Sequence, residues 1–279
     1  MAKSQEVRAQ FERMMRRPEP ALELARAALL IAAESDPQVD VEGEIKRLDG
    51  WGEQLRSKIA PDANNLQKLA RLRSFLFEDL GFAGDGKDYF SPSNSLLHQV
   101  IERRKGIPLT LGILMMELGW RIGMPLEGVG FPGHFLVRLT GEPGDLLLDP
   151  FRHGMSVHED DCRRMLAEIT KGEVAYSPRL IQSVDKRQMI VRLLHNLKAA
   201  YVKRGEEAGA LAVVERLLLI DPNDLTQIRD HGLLLFRLHR FTPALASLMR
   251  YLAEAPGAAD RAEVEGTVVA LRQQMSSMN

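Results

Sequence analysis

The feature that most constrains this chain is an internal repeat near its C-terminal end. Shifting the sequence by 34 residues aligns Ala210 with Ala244, Leu211 with Leu245, Ala212 with Ala246, Arg216 with Arg250, Leu218 with Leu252 and Pro222 with Pro256. Six of the thirteen positions from 210 to 222 are therefore identical to their counterparts, where chance would give about one. A repeat of this length describes one helix–turn–helix unit whose apolar face must be covered by a neighbour. Small residues such as Ala210 and Ala244 suit places where paired helices approach closely, and each unit closes on a proline.

The period of 34 and these details resemble the tetratricopeptide pattern. Leu197 and Tyr201 fall on the first helix of unit one, and Gly232 and Leu235 on the first helix of unit two. A groove formed by these four positions would bind a protein or peptide segment. Two units rarely bury enough surface to stand alone, so the hairpins are expected to dock on the preceding domain, with a charged helix over 260–274 as cap. The bland alternative is that they only complete a core.

Upstream, Val41, Ile45, Leu48, Trp51, Leu55 and Ile59 form one helical stripe ending near Pro61. Leu66, Leu69, Leu72, Leu76, Phe77 and Leu80 form a second, with Gly81 as its stop. Turn-rich stretches at 84–86 and 91–94 read as linker. Helices are predicted over 95–104 and 109–122, split by Gly106-Ile107-Pro108, with proline in a first turn and Gly123 at the close. Short apolar runs at 126–131, 134–139 and 146–148, separated by Pro132-Gly133 and by residues 141–144, predict an antiparallel sheet. Helices resume over 158–169 and from about 186 to the end. The expected division is a helical and sheet-containing domain over 1–184 and the repeats over 185–279.

Composition excludes several classes. With 37 basic and 38 acidic residues the net charge is -1, so no global field would attract nucleic acid or an anionic membrane. The run Arg103-Arg104-Lys105 reads as a solvated helix end. No stretch approaches the roughly 20 apolar residues of a membrane span. The first fifteen residues lack an apolar signal core, so a cytoplasmic location is expected. The single cysteine, Cys162, rules out an internal disulfide and a multi-cysteine metal site. His98, His134, His153 and His158 show no paired helical spacing, and neither a metal nor a cofactor is expected.

The middle of the chain carries the candidate chemistry. Its segments are Arg103-Arg104-Lys105-Gly106-Ile107-Pro108-Leu109-Thr110, then Gly130-Phe131-Pro132-Gly133-His134-Phe135, then Leu147-Leu148-Asp149-Pro150-Phe151. Helix, then a strand with His, then a strand ending in Asp-Pro resembles the transglutaminase-like (papain-like) superfamily. With Asn94-Ser95 and the repeats, the chain from about 20 to 260 resembles the bacterial SirB1 family. The resemblance implies an α+β, mostly helical fold with a small antiparallel sheet, and a regulatory rather than catalytic role.

In that superfamily a cysteine heads the helix, a His opens the next strand and an Asp ends the one after. A thiol at a helix N-terminus has a lowered pKa, a His exchanges its proton, and a carboxylate fixes the imidazole. Carried onto this chain, His134 and Asp149 match, but the nucleophile's place falls on Pro108. The triad is reduced to a degenerate dyad. Thr110 lies about 200 degrees around the helix from that place and reads as a cap or packing residue. Cys162 has acidic neighbours that would raise its pKa and reads as an inert core thiol. Glu117 reads as an exposed helical carboxylate.

Two readings of the dyad stay open. A His–Asp hydrogen bond can simply join two strands, or the remaining cleft can bind a peptide or small ligand, walled by Asn94, Pro108, Thr110, Phe131, Pro132 and Gly133. The leading expectation is a non-enzymatic regulatory or protein-binding pseudoenzyme. The alternative is a hydrolase or acyltransferase with His134 as base, Asp149 as orienter and an unrecognised nucleophile.

Overall fold

A computed structural model describes residues 2–34, 36–141 and 144–277. It divides into two compact units, Met1–Leu193 and Leu194–Asn279.

The first unit begins with α1 (Ala2–Met15) and α2 (Leu24–Ala33). Every residue of α2 but Arg26 is buried, the pattern of a helix surrounded by protein on all sides. In α3 (Val41–Ser57), Asp40 caps the N-terminus by accepting from the Gly43 N–H at 2.9 Å, and Leu48, Trp51 and Leu55 of the expected stripe are buried. Next, α4 (Asn65–Arg73) starts in a reciprocal capping box between Asn64 and Gln67. It runs on as a π-helical turn, Ser74–Asp79. Three consecutive apolar side chains, Phe75, Leu76 and Phe77, are all buried there. A wider turn, marked by the Leu80 N–H bonding Phe75 at 2.9 Å, spreads them over one broad face as an ordinary α-turn would not.

The linker carries a short parallel pair, β1 (Ala83–Gly84) with β2 (Lys105–Gly106), around α5 (Leu97–Arg103). Arg104 ends α5 in the left-handed region, at φ +59°. Then α6 (Pro108–Arg121) runs through the core, buried from Pro108 to Gly119. Proline stands at its first position, where a missing N–H costs nothing.

The sheet has five strands: β3 (Leu126–Val129), β4 (Leu136–Leu139), β5 (Leu146–Asp149), β6 (Met155–Val157) and β7 (Ser183–Val184), ordered β6-β5-β4-β3-β7. All four pairings are antiparallel. The first three strands are those predicted; β6 and β7 were not, being too short to show alternation. Of the turn expected at 141–144, Glu142 and Pro143 lie outside the described residues. A glycine in β3 leaves room for two neighbouring side chains. A Cβ on Gly128 would stand 2.7 Å from the Phe135 ring and 2.8 Å from the Met189 sulfur. After β6, α7 (Glu159–Thr170) packs Cys162, Met165 and Leu166 against Val129, Phe131 and Leu136.

The unit boundary falls within α8 (Lys186–Arg204). The second unit continues with α9 (Glu207–Ile220), α10 (Leu225–Arg237), α11 (Phe241–Glu254) and α12 (Arg261–Ser277). Ala210 and Ala244 are fully buried. The α8–α9 and α10–α11 turns pass through Gly205 and His239, 34 positions apart and both left-handed, at φ +68° and +56°. The repeat is thus a backbone repeat as well as a side-chain one. No helix among the described residues is long and apolar enough to cross a membrane.

Candidate functional site

His134 is presented by a turn. Its N–H bonds the Phe131 carbonyl at 3.1 Å, with Pro132 second and Gly133, at φ +63°, third. That is the residue order of a type II turn, in which the third position needs a positive φ. A Cβ on Gly133 would also stand 2.8 Å from Ile169.

Asp149 ends β5. The register pairs Val137 with Leu148, so Asp149 lies opposite Leu136 and diagonal to His134 on the same face, a spacing that long side chains bridge. His134 Nε2 bonds Asp149 Oδ1 at 2.9 Å. The same oxygen accepts the N–H groups of Phe151 at 2.9 Å and Arg152 at 3.3 Å, capping the 3-10 turn Pro150–Arg152. Oδ2 is buried with no hydrogen bond, and Arg152 Nε stands 3.7 Å from it. Asp149 is fully buried, whereas 15% of the His134 side chain is exposed. With Nε2 donating to the carboxylate, a neutral imidazole leaves Nδ1 as an acceptor.

The head of α6 packs behind this site. Pro108 is buried there. The buried Thr110 hydroxyl accepts the Ile107 N–H at 3.1 Å and donates to the Asn94 carbonyl at 2.9 Å. One turn beyond Pro108, a Cβ on Gly112 would come within 2.7 Å of Phe135 and 3.5 Å of Pro150. Gly112 therefore brings α6 down onto the residues that adjoin His134 and Asp149. Cys162 is fully buried in the apolar cluster around Val129, Phe131 and Leu136. Burial, reinforced by Asp161 and Glu159, pushes its thiol above the usual cysteine range. Its sulfur lies in packed core rather than in an open crevice.

Several expected cleft residues are instead the scaffold beneath the His134–Asp149 pair. Asn94, Pro108, Thr110 and Phe131 are buried and occupied; only Pro132 and Gly133 reach solvent. Asn94 donates to the Asp88 carbonyl at 2.7 Å and accepts from Arg103 at 3.0 Å, while Arg103 also reaches Asp85 Oδ2 at 3.0 Å. These bonds shape the loop 85–94, which carries Tyr89 and Phe90. The rings follow in edge contact: Phe90 to Tyr89 at 5.4 Å, Tyr89 to Phe151 at 6.1 Å and Phe151 to His134 at 6.3 Å. Aromatic residues of a turn-rich loop gave no periodic signal, so this wall was not legible in the sequence.

The other expectations are corrected on the same ground. Glu117 is buried, accepting the Ala25 N–H at 2.8 Å and Arg121 at 2.5 Å; its carboxylate ties α2 to α6. The four presumed groove residues lie inside the repeat unit instead. Leu197 and Leu235 are buried, Gly232 admits Leu248 where a Cβ would meet it at 2.6 Å, and Tyr201 lies over Gly209. Their sequence positions reflect helix pairing. Among the described residues no group of three or more His, Cys, Asp or Glu side chains could hold a metal ion.

Comparison with known proteins agrees with this fold. The sequence pattern of the Transglutaminase-like superfamily matches residues 43–195, and that of the Tetratricopeptide repeat matches residues 197–267. A UPF0162 protein of Xylella fastidiosa is 35% identical over 253 residues, covering 90% of both chains. A UPF0162 protein of Vibrio cholerae is 32% identical, covering 85% of this chain and 87% of its own. Protein SirB1 of Salmonella typhimurium is 27% identical, covering 79% and 81%. With a transglutaminase-like domain preceding tetratricopeptide repeats, and with such identity along nearly its whole length, the chain belongs to the UPF0162 family, among whose relatives SirB1 is found.

Proposed function

We propose that this chain is a non-catalytic binding protein, in which a transglutaminase-like cleft without a nucleophile and a pair of tetratricopeptide hairpins contact protein partners. The observation that carries this reading is the head of α6. Proline fills the position from which an activated thiol would act, the nearby Thr110 hydroxyl is held between two backbone groups, and Cys162 is packed in an apolar core. His134 and Asp149 then form a bonded pair with nothing to activate. Tetratricopeptide units generally present surfaces to other proteins, which supports the second half of the reading.

The test uses the full chain. Hydrolysis of an activated ester and of a peptide amide is followed for the native protein and for His134→Ala, together with labelling by thiol- and hydroxyl-directed probes. Equal background rates and no His134-dependent label are expected. A His134-dependent rate, or a label at Cys162 or Thr110 that vanishes in His134→Ala, refutes the proposal. A partner identified by co-purification should be lost on removing residues 188–279.

A further inference from the structure

Arg192, on the first turns of α8, reaches across the sheet edge to the His134 turn. Its Nη2 donates to the carbonyls of Phe131 at 2.9 Å and His134 at 2.5 Å. Its guanidinium lies 5.9 Å from the Phe135 ring centre. The reach depends on Gly130, where a Cβ would stand 3.5 Å from Nη1 and 3.0 Å from Val184. Among the described residues no carboxylate pairs with Arg192, and its Nε and Nη1 have no hydrogen-bond partner. Burial pulls this guanidinium below its ordinary range, with Tyr89 acting the other way. A partly buried cation without a counter-charge is unfavourable unless something supplies one.

Two more polar groups on the same wall are unengaged. The Tyr89 hydroxyl has no hydrogen-bond partner among the described residues, and burial raises its pKa while Arg192 lowers it. Among the described residues His134 Nδ1 has no hydrogen-bond partner, its other nitrogen being held by Asp149. Tyr89 and Phe90 are exposed and Phe151 is half-buried, and the ring contacts run from Phe90 through Tyr89 and Phe151 to His134, whose carbonyl Arg192 holds.

We propose that Arg192 and Tyr89 form a carboxylate-binding subsite beside His134, which recognises an acidic or C-terminal residue of a peptide laid along the Tyr89–Phe151 wall. The proposal rests on the cleft being a binding rather than a reacting site. A single guanidinium with one hydroxyl suits a monoanion; a phosphate dianion ordinarily gathers more donors than these. The aromatic edge supplies apolar contact on either side of the charged group.

The test is binding to the full chain, read from the Arg192 Nε–H resonance and from titration. The probes are a short peptide with a central Glu and amidated terminus, an apolar peptide with a free C-terminal carboxylate, a Gln-containing amidated control, and inorganic phosphate. One or both carboxylate peptides should bind and shift the Arg192 signal, and which one does distinguishes side-chain from terminal recognition. Tyr89→Phe, whose lost hydroxyl makes no hydrogen bond among the described residues, should weaken binding severalfold. Arg192→Gln should weaken it by about tenfold or more. Equal binding of the Gln control, binding unchanged in Tyr89→Phe, or phosphate binding more tightly than either peptide would overturn the proposal. Release of cleaved peptide, followed by mass, would instead refute the non-catalytic reading and leave the subsite standing.

Discussion

Replacing Asp149 separates the two kinds of work its carboxylate does. In Asp149→Ala three accepted hydrogen bonds disappear: from His134 at 2.9 Å, Phe151 at 2.9 Å and Arg152 at 3.3 Å. The charge-assisted bond to His134 contributes about 1.5–3 kcal/mol, and loss of a cap costs about 1 kcal/mol. Relief of a buried charge offsets part of this, leaving an expected loss of about 3 kcal/mol. For a unit of this size each kcal/mol moves the melting midpoint by roughly 2–4 °C, so a fall of about 6–12 °C is expected. Asp149→Asn keeps an oxygen for the turn and for the imidazole N–H, and should lose only about 1 kcal/mol. Both variants are measured by thermal unfolding followed in the near-ultraviolet circular dichroism, with urea titration as a second probe. If Asp149→Ala stays within about 0.5 kcal/mol of the parent, the carboxylate does not hold β4, β5 and the following turn together. If Asp149→Asn is as damaging as the alanine, charge rather than capping dominates.

Gly112→Leu should destabilise the first unit by about 3 kcal/mol or more, because even a Cβ there meets the Phe135 ring at 2.7 Å; urea unfolding checks it, and a neutral result would show that α6 does not rest on β4. Gly205→Ala, at φ +68°, should cost the repeat unit about 1 kcal/mol. Cys162 should resist a disulfide exchange reagent at pH 8 in the folded protein and react fully in denaturant; prompt reaction under native conditions would contradict its burial. Burial pushes the Asp85 carboxyl up, but hydrogen bonds from Asp88, Arg103 and Asn94 outweigh it and hold the group below its ordinary range. Its folded pKa being lower than its unfolded one, the stabilisation is present above about pH 4 and fades as pH falls through the folded value. Asp85→Asn should therefore narrow the stability difference between pH 6 and pH 3; an unchanged difference would refute this.

Much of the architecture was legible before any coordinates. The repeat announced its helix pairs, because close packing demands small residues at fixed spacing, and Ala210 and Ala244 lie buried at those points. Helices α3 and α6 and strands β3 to β5 followed from apolar periodicity and from Pro108, Gly123 and Pro132-Gly133. Edge strands β6 and β7 were not readable, since two or three residues cannot display a period. At the site, sequence order gave His134 and Asp149 but misjudged which neighbours line the cleft. Asn94, Thr110 and Glu117 are polar residues consumed by backbone groups; for Thr110 and Glu117 these include partners 16 and 92 positions away, and for Asn94 a carbonyl of its own irregular loop, and neither kind of satisfaction has a periodic signature. Arg192 was missed for a related reason: a lone arginine on a helix looks solvated until the glycine at 130 is seen to leave room for it.

The triple duty of the Asp149 oxygen has a bearing on how variants of this chain are to be interpreted. Because one atom joins the imidazole to the sheet and also starts the next turn, selection for mere foldability suffices to retain both side chains. Intolerance to mutation at either position would then measure cohesion of the strands and carry no memory of turnover. A biological phenotype for His134→Ala thus acquires meaning only beside a measurement of how much folded protein remains.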